Sequence, residues 1–149
     1  MKALLQRVGH ARVEVDGQRV GEIDEGGLLV YLGVDAEDTS AEAKRLAEKV
    51  AGLRVFEEAQ GKMNLSVRDV GGGILAIPNF TLMADARKGR RPAFVDAAPP
   101  EKAEPLYEAF VTALRDQGCR VETGQFRTTM AITSLALGPV NLVVEMPAT

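Results

Sequence analysis

Apolar and polar residues change period along the chain, and those changes divide it into elements. Residues 2–8 and 11–15 are rich in Leu and Val. Asp16-Gly17 then precedes "QRVGEI", where the two classes alternate, so a β-hairpin turning at Asp16-Gly17 is predicted. "GGLLVYLGV" (26–34) is a continuous apolar run bounded by glycines, the pattern of a central strand covered on both faces. In "DTSAEAKRLAEKVAGLRVF" the period lengthens: Ala43, Leu46, Ala47, Val50 and Leu53 fall on one helical face, and Thr39 and Glu42 have the spacing of a capping box.

The second half repeats the alternation. "GKMNL" reads as a loop or edge segment, Gly71-Gly72-Gly73 as a turn, and about Ile74 to Ile77 as a strand that Pro78 ends, because proline has no N–H to donate. Prolines at 99, 100 and 105, followed by Leu106, Phe110, Ala113 and Leu114 at helical spacing with Gly118 as a cap, predict a second helix. The tail gives "TTMAITSLAL" and "VNLVVEM", two strands joined or bent at Gly138-Pro139. A hairpin, then βα units, then strands amounts to a layered α/β domain with a mixed sheet and two main helices. No repeat or linker divides residues 1–149, so one domain is expected.

Composition narrows the functional classes. The chain is 46% hydrophobic and 26% charged, with no long apolar run, and is expected to be soluble and cytoplasmic. The single cysteine, Cys119, excludes a disulfide framework within the chain and a cysteine cluster for zinc. Neither a metal nor a cofactor is expected. A net charge of −3 opposes general attraction to a polyanion, yet Arg87, Lys88, Arg90 and Arg91 cluster around Gly89, a pattern suited to the phosphates of a nucleic acid, which Arg120 and Arg127 could extend. As a solvated loop the cluster would have no function.

Side chains for ordinary catalysis are scarce. His10 is the only histidine, and neither a GxSxG elbow nor an HExxH, Walker or GxGxxG element occurs. Thr81 is a hydroxyl just after the strand ending at Pro78, with no base near it in sequence to activate it. It reads either as a strand-end residue or as part of a site. Gly138-Pro139 reads either as a strand break or as a pair of carbonyls aimed at a ligand.

Several stretches in order, "LLQRV", "VDGQ", "VGEI" and "GLLV", then "FTLMADARKGRRPAF", "AAPPEKAEPLYEAFVTALRDQG" and "VETGQF" followed by Met130, resemble the D-aminoacyl-tRNA deacylase family, also called D-tyrosyl-tRNA deacylase, over essentially the whole chain. The resemblance implies a D-tyrosyl-tRNA deacylase-like fold with a barrel-like core, and a homodimer with active sites at the subunit interface. It implies hydrolysis of the ester of mischarged D-aminoacyl-tRNA and of glycyl-tRNA, as translation quality control. The family's SQxTL signature falls on Pro78, Asn79, Phe80, Thr81 and Leu82, and its NxGPxT signature on Ala136 to Asn141.

By resemblance, the backbone N–H groups of Phe80 and Thr81 hold the ester carbonyl beside Asn79, while the 2′-hydroxyl of the terminal adenosine supplies the reactive group. Gly138 and Pro139, entering from the partner subunit with a cis peptide bond, reject L side chains. Arg7 holds the Gly138 carbonyl, Pro78 and Met130 border the amino-acid site, and Arg87, Lys88, Arg90 and Arg91 hold tRNA. Pro78-Asn79, Ala136 and Asn141 depart from the signatures, and a related animal deacylase acting on L-Ala-tRNA carries Pro at the first of these positions. A shift toward an L-aminoacyl-tRNA and an inactive tRNA-binding relative are the two alternatives.

Overall fold

The computed structural model describes residues 1–147. Among these, the elements in chain order are β1 (Lys2–Val15), β2 (Gln18–Ile23), β3 (Gly27–Gly33), α1 (Ser40–Gly52), β4 (Phe56–Glu57), β5 (Met63–Leu65), β6 (Gly73–Pro78), a 3₁₀ turn (Phe80–Met83), α2 (Pro100–Asp116), β7 (Arg120–Thr123) and β8 (Ala131–Glu145). The main sheet runs β2-β1-β3-β6-β7, with β8 along the other edge of β1. β3, β6 and β7 are parallel and the other neighbours antiparallel, so the sheet is mixed as expected.

Alternation along the strands sorts their side chains between two cores. Leu28, Val30 and Leu32 of β3, with Ile74 and Ala76 of β6, pack under α1 and α2. Leu29 of β3, with Leu75 and Ile77 of β6, faces the other way and joins Val8, Ala11, Val13 and Ile23 in a smaller core inside the curled sheet. β2 and β7 approach so closely that a side chain at Gly21 would meet the Thr123 carbonyl at 2.4 Å, and the sheet nearly closes into a barrel.

The capping box forms as its spacing predicts: Thr39 Oγ1 accepts from the Ala41 N–H, and Glu42 accepts from the Thr39 N–H at 2.6 Å. The hairpin turns at Asp16-Gly17, both with positive φ. Three details differ from the sequence reading. Residues 2–15 make one strand, because an irregularity at Gly9 shifts the register and keeps Ala11 and Val13 on the inner face after Val8. β7 is an unanticipated strand whose buried member is Val121, too short to leave a periodic signal. The tail is one strand, β8, interrupted but not divided at Gly138-Pro139.

That interruption has a defined register. Asn141 pairs with Gln6 and Ala136 with Val8, so the four residues from Leu137 to Val140 stand opposite Arg7 alone. The surplus chain loops out of the ladder. β8 covers β1 along its length, and most of its own residues are exposed, among them Leu135, Leu137, Leu142 and Val143.

Candidate active site at the carboxyl ends of β3 and β6

Parallel strands leave a crevice beyond their carboxyl ends, a common place for ligands in α/β sheets. Here β3 and β6 end together, with Leu32 paired to Pro78. Asn79 still donates to the Leu32 carbonyl at 2.8 Å, and the chain then tightens into the 3₁₀ turn. Glycine at position 33 lets that turn sit on β3, because a Cβ there would lie 2.8 Å from Met83 Sδ.

A cavity of about 530 Å³ opens at this point, within the size range of small-ligand sites. Pro78, Asn79 and Phe80 form one wall, Pro100, Ala103 and Tyr107 of α2 a second, and Phe126, Arg127, Thr128 and Met130 of the β7–β8 loop a third. Tyr31 completes the floor. Pro78, Asn79, Phe80 and Met130 are thus brought together in one lining. Thr81 is adjacent but does not line the cavity. Tyr31, Tyr107 and Phe126 carry no catalytic signature, and their place is set by the fold.

The lining contains neither carboxylate, histidine nor thiol. Burial pushes the Tyr31 and Tyr107 phenols above the usual tyrosine range, and the Tyr107 hydroxyl donates to the Ala76 carbonyl at 2.7 Å. These side chains cannot take a proton near neutral pH. Main-chain donors remain. Asn79 Oδ1 accepts from the Thr81 N–H at 3.1 Å and from the Thr81 hydroxyl, whereas the Phe80 N–H has no backbone acceptor among the described residues. Of the two donors named by resemblance, Phe80 is open and Thr81 is engaged.

The cationic loop is a closed unit beside this wall. Asp85 and Ala93 exchange N–H···O bonds of 2.7 and 2.8 Å across its base. The Arg87 guanidinium grips the Asp85 carboxylate at 2.9 and 2.7 Å and, by that hydrogen bonding, holds the acid below the usual carboxylate range. Lys88, Arg90 and Arg91 are exposed and make no ion pair among the described residues. The Phe94 ring, just past the loop, lies 5.1 Å from that of Phe80 and ties the loop to the cavity. Arg120 is elsewhere, paired with Gly73 at the far end of β6. His10 is exposed on β1 and lines no cavity described here.

Arg7, Gly138 and Pro139 form a separate group. Arg7 Nε donates to the Leu137 carbonyl at 3.2 Å and Nη1 to the Val55 carbonyl at 2.8 Å, so the carbonyl that Arg7 holds is that of Leu137 and not, as the resemblance implies, that of Gly138. The Gly138-Pro139 peptide is cis, and Gly138 has φ +135°. Neither residue lines the cavity of its own chain. Arg7 pairs with Leu28, four residues along β3 from Leu32, which places the group roughly 13 Å from the strand ends.

Comparison with known proteins places the chain in a family. Residues 4–145 match the family model described as D-Tyr-tRNA(Tyr) deacylase. The chain is 54% identical over 145 residues to a D-aminoacyl-tRNA deacylase of Desulfatibacillum aliphaticivorans, covering 97% of this chain and 99% of that protein. A solved structure described as a c-Myc DNA unwinding element binding protein superposes with a TM-score of 0.92 at 38% identity, covering 99% of this chain and all of the other (100%). A structure described as a probable eukaryotic D-amino acid tRNA deacylase shares the fold, with a TM-score of 0.83 at 17% identity over 97% of this chain and 98% of that one. With its sequence matched from residue 4 to residue 145 and the mixed, nearly closed sheet shared, this chain belongs to the D-Tyr-tRNA(Tyr) deacylase family.

Proposed function

We propose that this chain, as one deacylase domain, hydrolyses the ester joining a D-amino acid or glycine to the terminal ribose of tRNA, returning free amino acid and tRNA in the cytoplasm as translation quality control. The observation that carries the reading is a cavity with an open main-chain donor, Phe80 N–H, and no side chain in its lining able to act as a base. Such a site suits a substrate that brings its own hydroxyl.

In this mechanism the terminal nucleoside lies against Pro78, Phe80 and Phe126, and the ester carbonyl points its oxygen at the Phe80 N–H. The ribose 2′-hydroxyl next to the ester positions the attacking water. The water oxygen bonds to the carbonyl carbon as the water gives up a proton, the negative charge that develops on the carbonyl oxygen is held by the main-chain donor, and the carbon–oxygen bond to the ribose breaks as the ribose oxygen takes that proton, passed on by way of the 2′-hydroxyl. Asn79 and Thr81 hold the turn that presents Phe80. Lys88, Arg90 and Arg91 meet the phosphates of the acceptor end.

We further propose a homodimer in which each subunit supplies Gly138-Pro139 to its partner's cavity. The exposed apolar residues of β8 and the distance of Gly138 from its own cavity support it. Main-chain carbonyls projecting there would collide with the side chain of an L-amino acid and spare a D-amino acid or glycine. The direct test is release of amino acid from D-aminoacyl-tRNA by the purified protein. Binding of tRNA with no hydrolysis above the spontaneous rate would leave a binding module instead.

A further inference from the structure

Arg127 is the one charged residue in the lining of the cavity. It is exposed, and it makes no ion pair among the described residues. Its backbone has φ +61°, in the left-handed region that residues with a side chain seldom enter. The turn that holds it there is tied by the Thr128 hydroxyl, which donates to the Gln125 carbonyl at 2.8 Å. Next to it the Phe126 ring packs 6.2 Å from that of Tyr107, which in turn is bonded to the end of β6. An exposed arginine is therefore kept, in an unfavourable backbone conformation and on a braced turn, in the lining of an otherwise uncharged and mostly apolar cavity. A backbone outlier at such a place is reason to look for a ligand.

Resting on the function proposed above, we infer that Arg127 is a substrate-binding residue for a single phosphate, the 5′-phosphate of the terminal nucleoside. A nucleoside with its base against Pro78, Phe80 and Phe126 and its ester at Phe80 N–H would bring its 5′-oxygen to the exposed guanidinium in the same lining. Guanidinium and phosphate fit as a two-pronged, charge-assisted pair, strengthened by the apolar walls beside it. Lys88, Arg90 and Arg91, on the loop tied in through the contact of Phe94 with Phe80, do not line the cavity and take phosphates further from the ester. The site then reads the last phosphate separately from the rest of the acceptor strand.

Two small substrates isolate that phosphate: a 3′-D-aminoacyl adenosine and the same ester carrying a 5′-monophosphate. For the wild-type protein the phosphate is expected to lower KM about tenfold, an advantage that shrinks as salt rises. In Arg127→Gly, which suits the left-handed backbone and should fold with an undiminished melting temperature, the ratio between the two KM values should fall to about one. Arg127→Lys should restore part of it. A wild type that hydrolyses both esters with equal KM, or an Arg127→Gly variant that keeps the full ratio, overturns the assignment while leaving the deacylase reading intact. A wild type that hydrolyses neither small ester nor D-aminoacyl-tRNA overturns both. A loss in Arg127→Gly confined to acidic amino acids would instead assign the guanidinium to the aminoacyl side chain and reject the phosphate.

Discussion

The Asn79 carboxamide oxygen accepts hydrogen bonds from both the main-chain N–H and the hydroxyl of Thr81. One acceptor therefore holds both hydrogen-bond donors of Thr81, while the Phe80 N–H has no backbone acceptor among the described residues. Thr81 is a framing residue on this geometry. Thr81→Val, which keeps the branched shape and removes the hydroxyl, should lower kcat by no more than about tenfold, whereas loss of a nucleophile costs on the order of a thousandfold or more. Single-turnover kinetics distinguish the two results.

Gly138 stands where a side chain does not fit. A Cβ there would lie 2.7 Å from the Val140 nitrogen and 3.2 Å from Arg7 Nη2, on a backbone with φ +135°. Gly138→Ala should push the excursion of residues 137–140 away from Arg7 and reduce discrimination between D- and L-esters by about tenfold or more, a change of roughly 1.4 kcal/mol. The ratio of kcat/KM for matched D- and L-aminoacyl-tRNA measures it. An unchanged ratio counts against the role of this corner in selectivity.

The four cations around Gly89 are not equivalent. Arg87 is committed to Asp85, while Arg90 and Arg91 make no ion pair among the described residues. Replacing Arg90 and Arg91 together by Ala should weaken tRNA binding and reduce the slope of log affinity against log salt by roughly 0.7–0.9 for each phosphate the variant no longer neutralises. Arg87→Ala should change that slope less. Binding titrations at several salt concentrations give all three slopes.

Among the described residues β8 pairs with β1 alone and carries large apolar side chains, of which Val143 is 60% exposed. A charge there should oppose burial against a second copy. Val143→Lys is expected to give a monomer in sedimentation, with deacylase activity lost in step if the partner supplies Gly138-Pro139. A monomeric wild type would remove the cross-subunit site.

The sequence carried the elements whose cause is local. Thr39 and Glu42 announce a helix start because the two hydrogen bonds they make span only three residues, and Asp16-Gly17 announces a turn because few other pairs adopt positive φ. Pro78, Asn79, Phe80 and Met130 were identified by resemblance and meet in one cavity. What stayed hidden depends on distant partners or on backbone angles. The continuity of β1 and β8 rests on their pairing with each other, and the bond from Arg7 to the Leu137 carbonyl joins residues far apart in the chain. Nothing in "QFRTTM" signals that Arg127 is left-handed.

Removal of D-amino acids from tRNA, with selectivity against L-amino acids, is measured by the rate of ester hydrolysis for D-Tyr-, Gly- and L-Ala-tRNA at equal protein and substrate concentrations. Turnover of the D-Tyr and Gly esters with the L-Ala ester left at its spontaneous rate is the expected result. Turnover of the L-Ala ester with none of the D-Tyr ester would contradict it.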